Sequence, residues 1–361
     1  MELPSLAKFT FILCKKDVGK SIIRLFFRLF VNLLTFNSYS IITIMKAIIY
    51  TEYGSPEVLH LQDLLKPEPK ENQILIKVIA TTVNSADCRL RRADPALVRL
   101  FFGLLRPKIN VLGLTFAGVV EAIGSKVKDY KIGDQIYGMG SKNLGANAEY
   151  MVIDPISSII SLKPQRISYQ EASSIPFGFT TACYFAKQAN IQCGQNILIY
   201  GASSAVGIAM LQIAKAKGAV VTTVTSGKNL DLMKSLGADY TINYQTDNFR
   251  KSNIKYDIIM DCVNKMGLDN LDNSLNTKAI LILCAGLVKE MFQSIRLRKK
   301  YNVIIGEADE KLEYLSYANQ LIEENKFRVI IDREYNLDQM VEAHTYVETG
   351  HKVGSVVINI N

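Results

Sequence analysis

Apolar residues change their spacing about halfway along the chain. Between residues 45 and 163 they form short runs at 46–50, 73–82, 116–123 and 135–137, cut by Gly, Pro, Asn and Asp. Runs of that length and punctuation predict strands. From about Ser168 strand-like and helix-like patterns alternate. NILIY at 196–200 is an unbroken apolar run of the kind a strand buried on both faces shows. A helix is predicted over 208–217, with Gly218 as its stop signal. Then come strand 220–225, helix 230–236 closed by Gly237, and strands 240–242, 256–260, 279–283 and 302–305. This is the βαβ rhythm of a doubly wound parallel sheet. After Gly306 the pattern predicts a helix over 311–324, an amphipathic stretch around 337–347 and a last strand over 355–360.

Residues 1–44 do not share this pattern. SIIRLFFRLFVNLLTF at 21–36 is apolar except for two arginines and one asparagine, and Arg24 and Arg28 share one helical face. Three readings stay open. It is a membrane-surface or membrane-inserted leader; or a targeting peptide with only the weak Ser38-Tyr39-Ser40 as a cleavage signal; or a non-native extension, with translation starting at Met45. The run 29–44 is too short and too polar for a stable span.

Composition narrows the class. A length of 361 residues favours two domains, and 48% hydrophobic with 21% charged residues is a globular profile. The net charge of +8 loses its force as a nucleic-acid signal once located. Six basic and two acidic side chains in residues 1–44 account for half of it, so no nucleic-acid partner is expected. Arg-Leu-Arg-Lys-Lys at 296–300 reads as a solvated face. The six cysteines form no C-x-x-C pair, which fits a reducing, cytoplasmic setting with thiols acting as small hydrophobes.

The densest chemistry lies at 199–207, Ile-Tyr-Gly-Ala-Ser-Ser-Ala-Val-Gly, between a predicted strand and a predicted helix. Small residues there let backbone approach a pyrophosphate, and the helix N-terminus offers free N–H groups. Ser203, Ser204, Ala205, Val206 and Gly207 are the candidate cradle. The pattern departs from G-x-G-x-x-G, because its three glycine slots hold Ala202, Ser204 and Gly207. The second strand ends in Val-Thr-Ser-Gly-Lys at 224–228, without the acid that would accept from a ribose 2′-hydroxyl. Ser226 and Lys228 suit a 2′-phosphate, which points to NADPH.

At this point the chain resembles the medium-chain dehydrogenase/reductases, and within them the zinc-independent quinone oxidoreductases. The resemblance spans residues 45–361 and rests on ordered motifs: YGSPEVL at 53–59, VNSAD at 83–87, LGLTFAG at 112–118, GANAEY at 145–150, IPF and TTA within 171–182, LGAD at 236–239 and HKVGSVV at 351–357. It implies an α/β fold, a Rossmann doubly wound parallel sheet plus a GroES-like β-barrel catalytic domain. The division it implies is 45–166 catalytic, 167–306 dinucleotide-binding and 307–361 returning to the catalytic domain, in a homodimer. It places Asn84 against the nicotinamide, Thr180 beside the cofactor, Tyr244 near the 2′-phosphate or adenosine, and Val263 on the loop under the nicotinamide. Asn264 stands where the family often has Gly, and Thr115 where it often has an acid. Read from the residues alone, Asn84 and Asp87 also suit loop capping by their own side chains.

The zinc-dependent relatives need Cys, His and carboxylate on one metal. The matching places here hold Asn84, Leu114 and Thr115, so no metal is expected. His60 reads as a surface residue after a strand start at 56–59, and His344 and His351 fall near a helix end and a turn. Together the residues and the resemblance imply an NADPH-dependent hydride transfer to a quinone or α,β-unsaturated carbonyl. Asn84 is the candidate donor to the developing oxyanion and Tyr53 a weaker one. An enoyl-thioester reductase is an alternative, although RRADP at 91–95 lacks the tyrosine its relatives carry there. A non-catalytic NADPH-binding sensor or scaffold is another.

Overall fold

The structure is a computed structural model that describes residues 43–140, 144–284, 294–295 and 297–360. The apolar leader at 21–36 and Arg296 of the basic cluster lie outside the described residues. Residues 45–361 form one compact unit, distinct from residues 1–44.

The first half supplies strands β1 (Ile44–Ile49), β2 (His60–Leu65), β3 (Ile74–Val83), β4 (Thr115–Ile123), β5 (Gln135–Met139), β6 (Tyr150–Ile153) and β7 (Ile159–Leu162). Two short helices, α1 (Ser85–Arg92) and α2 (Val98–Phe102), sit between β3 and β4. Helix α3 (Tyr169–Gln188) leads into alternating elements: β8 (Asn196–Tyr200), α4 (Ala205–Ala216), β9 (Val220–Thr225), α5 (Leu230–Ser235), β10 (Tyr240–Asn243), β11 (Tyr256–Asp261), β12 (Leu275–Leu283) and β13 (Asn302–Ile305). The chain closes with α6 (Leu312–Glu323), β14 (Ile331–Asn336), α7 (Met340–Glu348) and β15 (Ser355–Asn359).

Strands β8–β13 form a six-stranded sheet in the order β10-β9-β8-β11-β12-β13 with parallel pairings. This is the doubly wound order, and it reverses between β8 and β11. The crevice outside the carboxyl ends of those two strands is where such sheets bind ligands. A second sheet, β14-β15-β3-β4-β5-β7 with β6 also on β3, joins the two ends of the chain. Val356–Asn359 pair antiparallel with residues 80–83 of β3.

Helix α3 lies between the two sheets. Ser168 caps it: its Oγ accepts from Glu171 N at 3.1 Å, while Glu171 Oε2 accepts from Ser168 N at 2.8 Å. Its buried residues run around every face, from Ala172 and Ile175 to Phe179, Ala182 and Phe185. A helix that is apolar all round has no stripe for periodicity to detect, so the hydrophobic pattern does not predict it. Strands β2, β6, β7 and β14 and helices α1 and α2 are likewise additions to the pattern-based expectation. Residues 56–58 are a 3-10 turn rather than a strand start. His344 sits inside α7 and is fully buried, while His60 and His351 are exposed.

Candidate functional site

The turn between β8 and α4 lies at the sheet's switch point. Gly201 has φ +75°, and a Cβ there would come within 2.7 Å of the Val263 methyl groups. A Cβ on Gly207 would lie 2.6 Å from the Gly201 carbonyl oxygen. Both glycines are therefore demanded by close approach of backbone and side chain. Ala202, fully buried, fills the first glycine slot of the motif. Ser204 is the N-cap of α4, its Oγ accepting from Gly207 N at 3.1 Å. Ser203 Oγ accepts from Thr225 Oγ1 at 3.0 Å, so the cradle is tied to the end of β9. Ala205 and Val206 open the helix, whose N-terminus faces the crevice with its positive dipole end.

Beyond β9, Ser226 Oγ accepts from Asn229 Nδ2 at 3.2 Å, and Lys228 is exposed beside it. Tyr244 N donates to Thr225 O at 3.0 Å, bringing Tyr244 to the same strand end. Tyr244 also borders a cavity of about 650 Å³ at the outer edge of β10, lined by Tyr240, Asn248 and Phe249 among others. On the other side of the switch point Asp261 organises the loop carrying Val263. Its Oδ1 accepts from Val263 N at 3.0 Å and Asn264 N at 2.8 Å, and its Oδ2 from Met266 N at 2.9 Å. Asn264 has φ +57°. Asparagine tolerates that left-handed conformation, so the loop keeps a glycine-like turn without glycine.

A small cavity at the seam of the two sheets is lined by Asn84 and Thr82 from the first, Ser174 and Gly178 from α3, Ala205 from α4, and Lys352. Asn84 is 4% exposed; its Nδ2 donates to Thr82 Oγ1 at 3.3 Å, and its Oδ1 has no partner. Thr82 Oγ1 lies 2.6 Å from Thr115 Oγ1. Thr115 thus holds Thr82, and Thr82 holds the amide of Asn84. One amide hydrogen and the oxygen of Asn84 have no partner in the protein, and the cavity beside them, about 10 Å³, has room for about one water. Asn84 also caps α1 through its backbone, with N donating to Asp87 Oδ2 at 3.0 Å. Complete burial pushes the Asp87 carboxyl up to about 7, against the backbone N–H of Asn84, which lowers it.

Two candidates are placed differently. The Tyr53 hydroxyl donates to Gly103 O at 2.8 Å, its ring packs edge-on to Tyr50, and the Arg99 guanidinium lies 5.1 Å from its centroid. Tyr53 is not among the residues lining the Asn84 cavity. Thr180 is fully buried, and its hydroxyl donates to Pro176 O at 2.6 Å and meets Glu310 Oε1 at 3.3 Å. The face of α3 that borders the cavity carries Ser174 and Gly178, and helical spacing continues it to Thr181, not Thr180. Burial pushes the Glu310 carboxyl up to about 7, with the Thr180 hydroxyl lowering it and Glu307 raising it.

The sequence reading missed Lys352. HKVGSVV offered no sign that its lysine would reach the cavity, because that depends on how β15 returns. Gly354 N donates to Ser203 O at 2.9 Å, and Ser204 and Gly354 form a parallel bridge. This docking of the return segment on the dinucleotide turn carries Lys352 to the cavity.

The comparisons agree with this architecture. Residues 70–164 match the alcohol dehydrogenase GroES-like domain, and residues 236–358 match the zinc-binding dehydrogenase model. The chain is 32% identical over 338 residues to the 2-methylene-furan-3-one reductase of Solanum lycopersicum, covering 90% of this chain and 81% of that protein. It is 30% identical over 326 residues to the NADPH-dependent alkenal/one oxidoreductase, chloroplastic, of Arabidopsis thaliana, covering 87% and 79%. The quinone oxidoreductase of Coxiella burnetii superposes with a TM-score of 0.80 at 30% identity, covering 88% of this chain and all of that one. The chain belongs to the medium-chain dehydrogenase/reductase superfamily, in its quinone oxidoreductase branch. Its cofactor is a nicotinamide dinucleotide and its substrate a small molecule.

One matching model carries zinc in its description, and the residues here do not fit that metal. Thr115 is committed to Thr82, and Asn84 and Leu114 offer no thiolate, imidazole or carboxylate. Among the described residues no three His, Cys, Asp or Glu side chains gather into a metal-binding group. Among them too, no helix is long and apolar enough to cross a membrane.

Proposed function

We propose that the protein reduces quinones or α,β-unsaturated carbonyls with NADPH, by direct hydride transfer and without a metal. The observation that carries this reading is the seam cavity, where Asn84 has an amide hydrogen without a partner in the protein, beside the first turn of the dinucleotide helix. The relatives named above, reductases of an exocyclic enone, of alkenals and alkenones and of quinones, share one substrate feature: a conjugated, electron-poor acceptor. Such acceptors need no Lewis acid. The protein's task is to exclude water, position the acceptor and stabilise the oxyanion.

When bound, NADPH supplies the hydride. Ser203, Ser204, Ala205, Val206 and Gly207 hold its pyrophosphate at the α4 N-terminus. Ser226 and Lys228 would take the 2′-phosphate, with Tyr244 beside them at the end of β9, and Val263 would border the nicotinamide. Asn84 donates to the acceptor oxygen, its amide oriented by Thr82 and Thr115. Tyr53, its hydroxyl committed to Gly103 and its ring outside the cavity lining, is the weaker candidate. The protein works as a homodimer in the cytoplasm, with lobes at 45–166 with 307–361 and at 167–306. Its five free cysteines among the described residues accord with a reducing compartment.

NADPH and NADH oxidation measured against a panel of quinones, alkenals, enones and simple alcohols tests the reading. Turnover of conjugated acceptors with NADPH in preference to NADH is expected. Alcohol oxidation with no conjugated-acceptor activity would sink it.

A further inference from the structure

Reduction of a conjugated carbonyl consumes a proton as well as a hydride, and the seam cavity has to supply it. Among the residues lining that cavity, Lys352 alone carries an ionisable side chain. It shares that lining with Val83, Phe177 and Gly178, and its Nζ donates to a neutral acceptor, Gly354 O, at 2.6 Å. An ammonium has three donors. The acid nearest in effect, Asp332, is already engaged: its Oδ2 accepts from Tyr346 Oη at 2.7 Å and Val353 N at 2.9 Å. A buried ammonium on a carbonyl, with donors to spare and Asn84 in the lining of the same cavity, is arranged to meet negative charge that a ligand brings or develops.

We propose that Lys352 is the proton donor to the acceptor oxygen in this reaction, working with Asn84 as a fixed hydrogen-bond donor. The proposal rests on the quinone/enone reading above. When the acceptor carbon takes hydride from reduced nicotinamide, the conjugated π pair moves onto oxygen. An Nζ–H bond of Lys352 then breaks, an O–H bond forms, and Lys352 is left as the neutral amine until solvent reprotonates it. An enol so formed tautomerises to the saturated carbonyl, and the adduct formed from a quinone tautomerises to the hydroquinone, its ring C–H proton passing to solvent as the second oxygen takes one up. Electrons and protons balance, with the nicotinamide oxidised and the acceptor reduced.

The electrostatics suit an acid working near neutrality. Burial pulls the Lys352 ammonium down to about 8, while Asp332 on β14 and Cys88 on α1 raise it. The faces of α3 and α4 at the cavity, Ser174, Phe177, Gly178 and Ala205, bring no charge. An alternative use of the same cation is static pairing with the cofactor pyrophosphate, since Ala205 borders the same cavity. The α4 N-terminus already provides backbone donors for that anion, which leaves the lysine for the reacting end.

The test uses the full chain and the variants Lys352→Met and Lys352→Arg. In the apoprotein, the amines are labelled by reductive ¹³C-methylation, and the resonance lost in Lys352→Arg should titrate near 8. A midpoint near the ordinary lysine value of about 10.4 would overturn the proposal without touching the assigned activity. With saturating NADPH, wild-type kcat should fall about tenfold per pH unit above about 8, as the acid form is lost. Lys352→Met should lower kcat at pH 7 roughly hundredfold or more and remove that alkaline limb, with NADPH Kd little changed. Lys352→Arg should keep NADPH affinity without restoring turnover, since its guanidinium does not give up a proton. Weaker NADPH binding with kcat unchanged would assign the cation to the pyrophosphate and overturn the proposal. So would unchanged kinetics, or an alkaline limb that survives in Lys352→Met. Failure of the wild type to reduce any quinone or enone would instead strike the assigned activity, and the NMR titration would still report on Lys352.

Discussion

Asn84 does two jobs through different atoms: its backbone N–H reaches Asp87, while its side chain lines the cavity. Because the Asn84 side chain also belongs to the capping box of α1 with Asp87, thermal unfolding of a side-chain variant is measured beside its kinetics. Asn84→Ala is expected to lower kcat on quinones or enones roughly ten- to a thousandfold, the range of an oxyanion-donor loss. NADPH affinity should stay close to wild type, and a stopped-flow and binding comparison checks both. Lys228→Ala should weaken NADPH roughly ten- to hundredfold by loss of a charge-assisted contact, with NADH little changed. Titration of both cofactors decides this, and equal losses would move the 2′-phosphate elsewhere. Asp87 gives a prediction about stability. Its folded pKa of about 7 stands above its unfolded value, so the unfolded chain releases its proton first as pH rises. Asp87 therefore removes stability progressively between about pH 4 and pH 7. Glu310 acts in the same direction, and His344, which burial pulls down to about 3, acts in the opposite one. The clean observable is the difference between variants: the Tm of Asp87→Asn relative to wild type should rise over that window. A difference independent of pH would contradict the assignment.

Among elements, the β8–α4 turn tolerates the least change. Its glycines are fixed by close contacts, Val263 for Gly201 and the turn's own carbonyl for Gly207. Gly207→Ala would force the helix away from Gly201 and Ala202, costing about 1–3 kcal/mol as overpacking. Thermal unfolding should register that loss, and NADPH binding should fall with it because the helix N-terminus moves. The turn was legible because a strand, small residues and a helix follow one another in sequence. Helix α3 was not, although it is the longest helix among the described residues. Its surroundings on several sides erase the polar face that periodicity detects. The same helix shows why Thr180 and Thr181 could not be told apart by motif. They differ by one residue and roughly a hundred degrees of helix rotation, and only the packed helix shows which one looks away, to Glu310.

For the whole molecule, the compact unit starts at Met45, which is buried and packs with Ala47 and Ala148. A chain beginning at Met45 is expected to fold, to melt with the wild type and to keep its activity. A truncated chain that aggregates or loses turnover would make residues 1–44 part of the working protein. The two sheets are joined through α3 and through the return segment. Tyr137 of β5 is buried against the α3 core and donates to Asn319 Oδ1 on α6 at 2.7 Å, while Gly354 docks on Ser203.

The sequence alone determined the doubly wound sheet, because each βαβ unit is local and its apolar runs, caps and glycine stops sit side by side in the chain. It determined the dinucleotide turn for the same reason, and the absence of an acid after β9 could be read directly. It also pointed to Asn84, through a motif shared with the family. Tertiary structure alone decided what Asn84 faces, because the cavity draws on residues from 82 to 355 that no local pattern connects. It alone fixed the Thr115–Thr82–Asn84 chain, which turns a missing acid into a support for the amide. It alone put Lys352 in the wall, because the placement depends on β15 pairing with β3 and Gly354 meeting Ser203. Local order is written in neighbouring residues, whereas burial, orientation and proton affinity depend on which distant segments pack together.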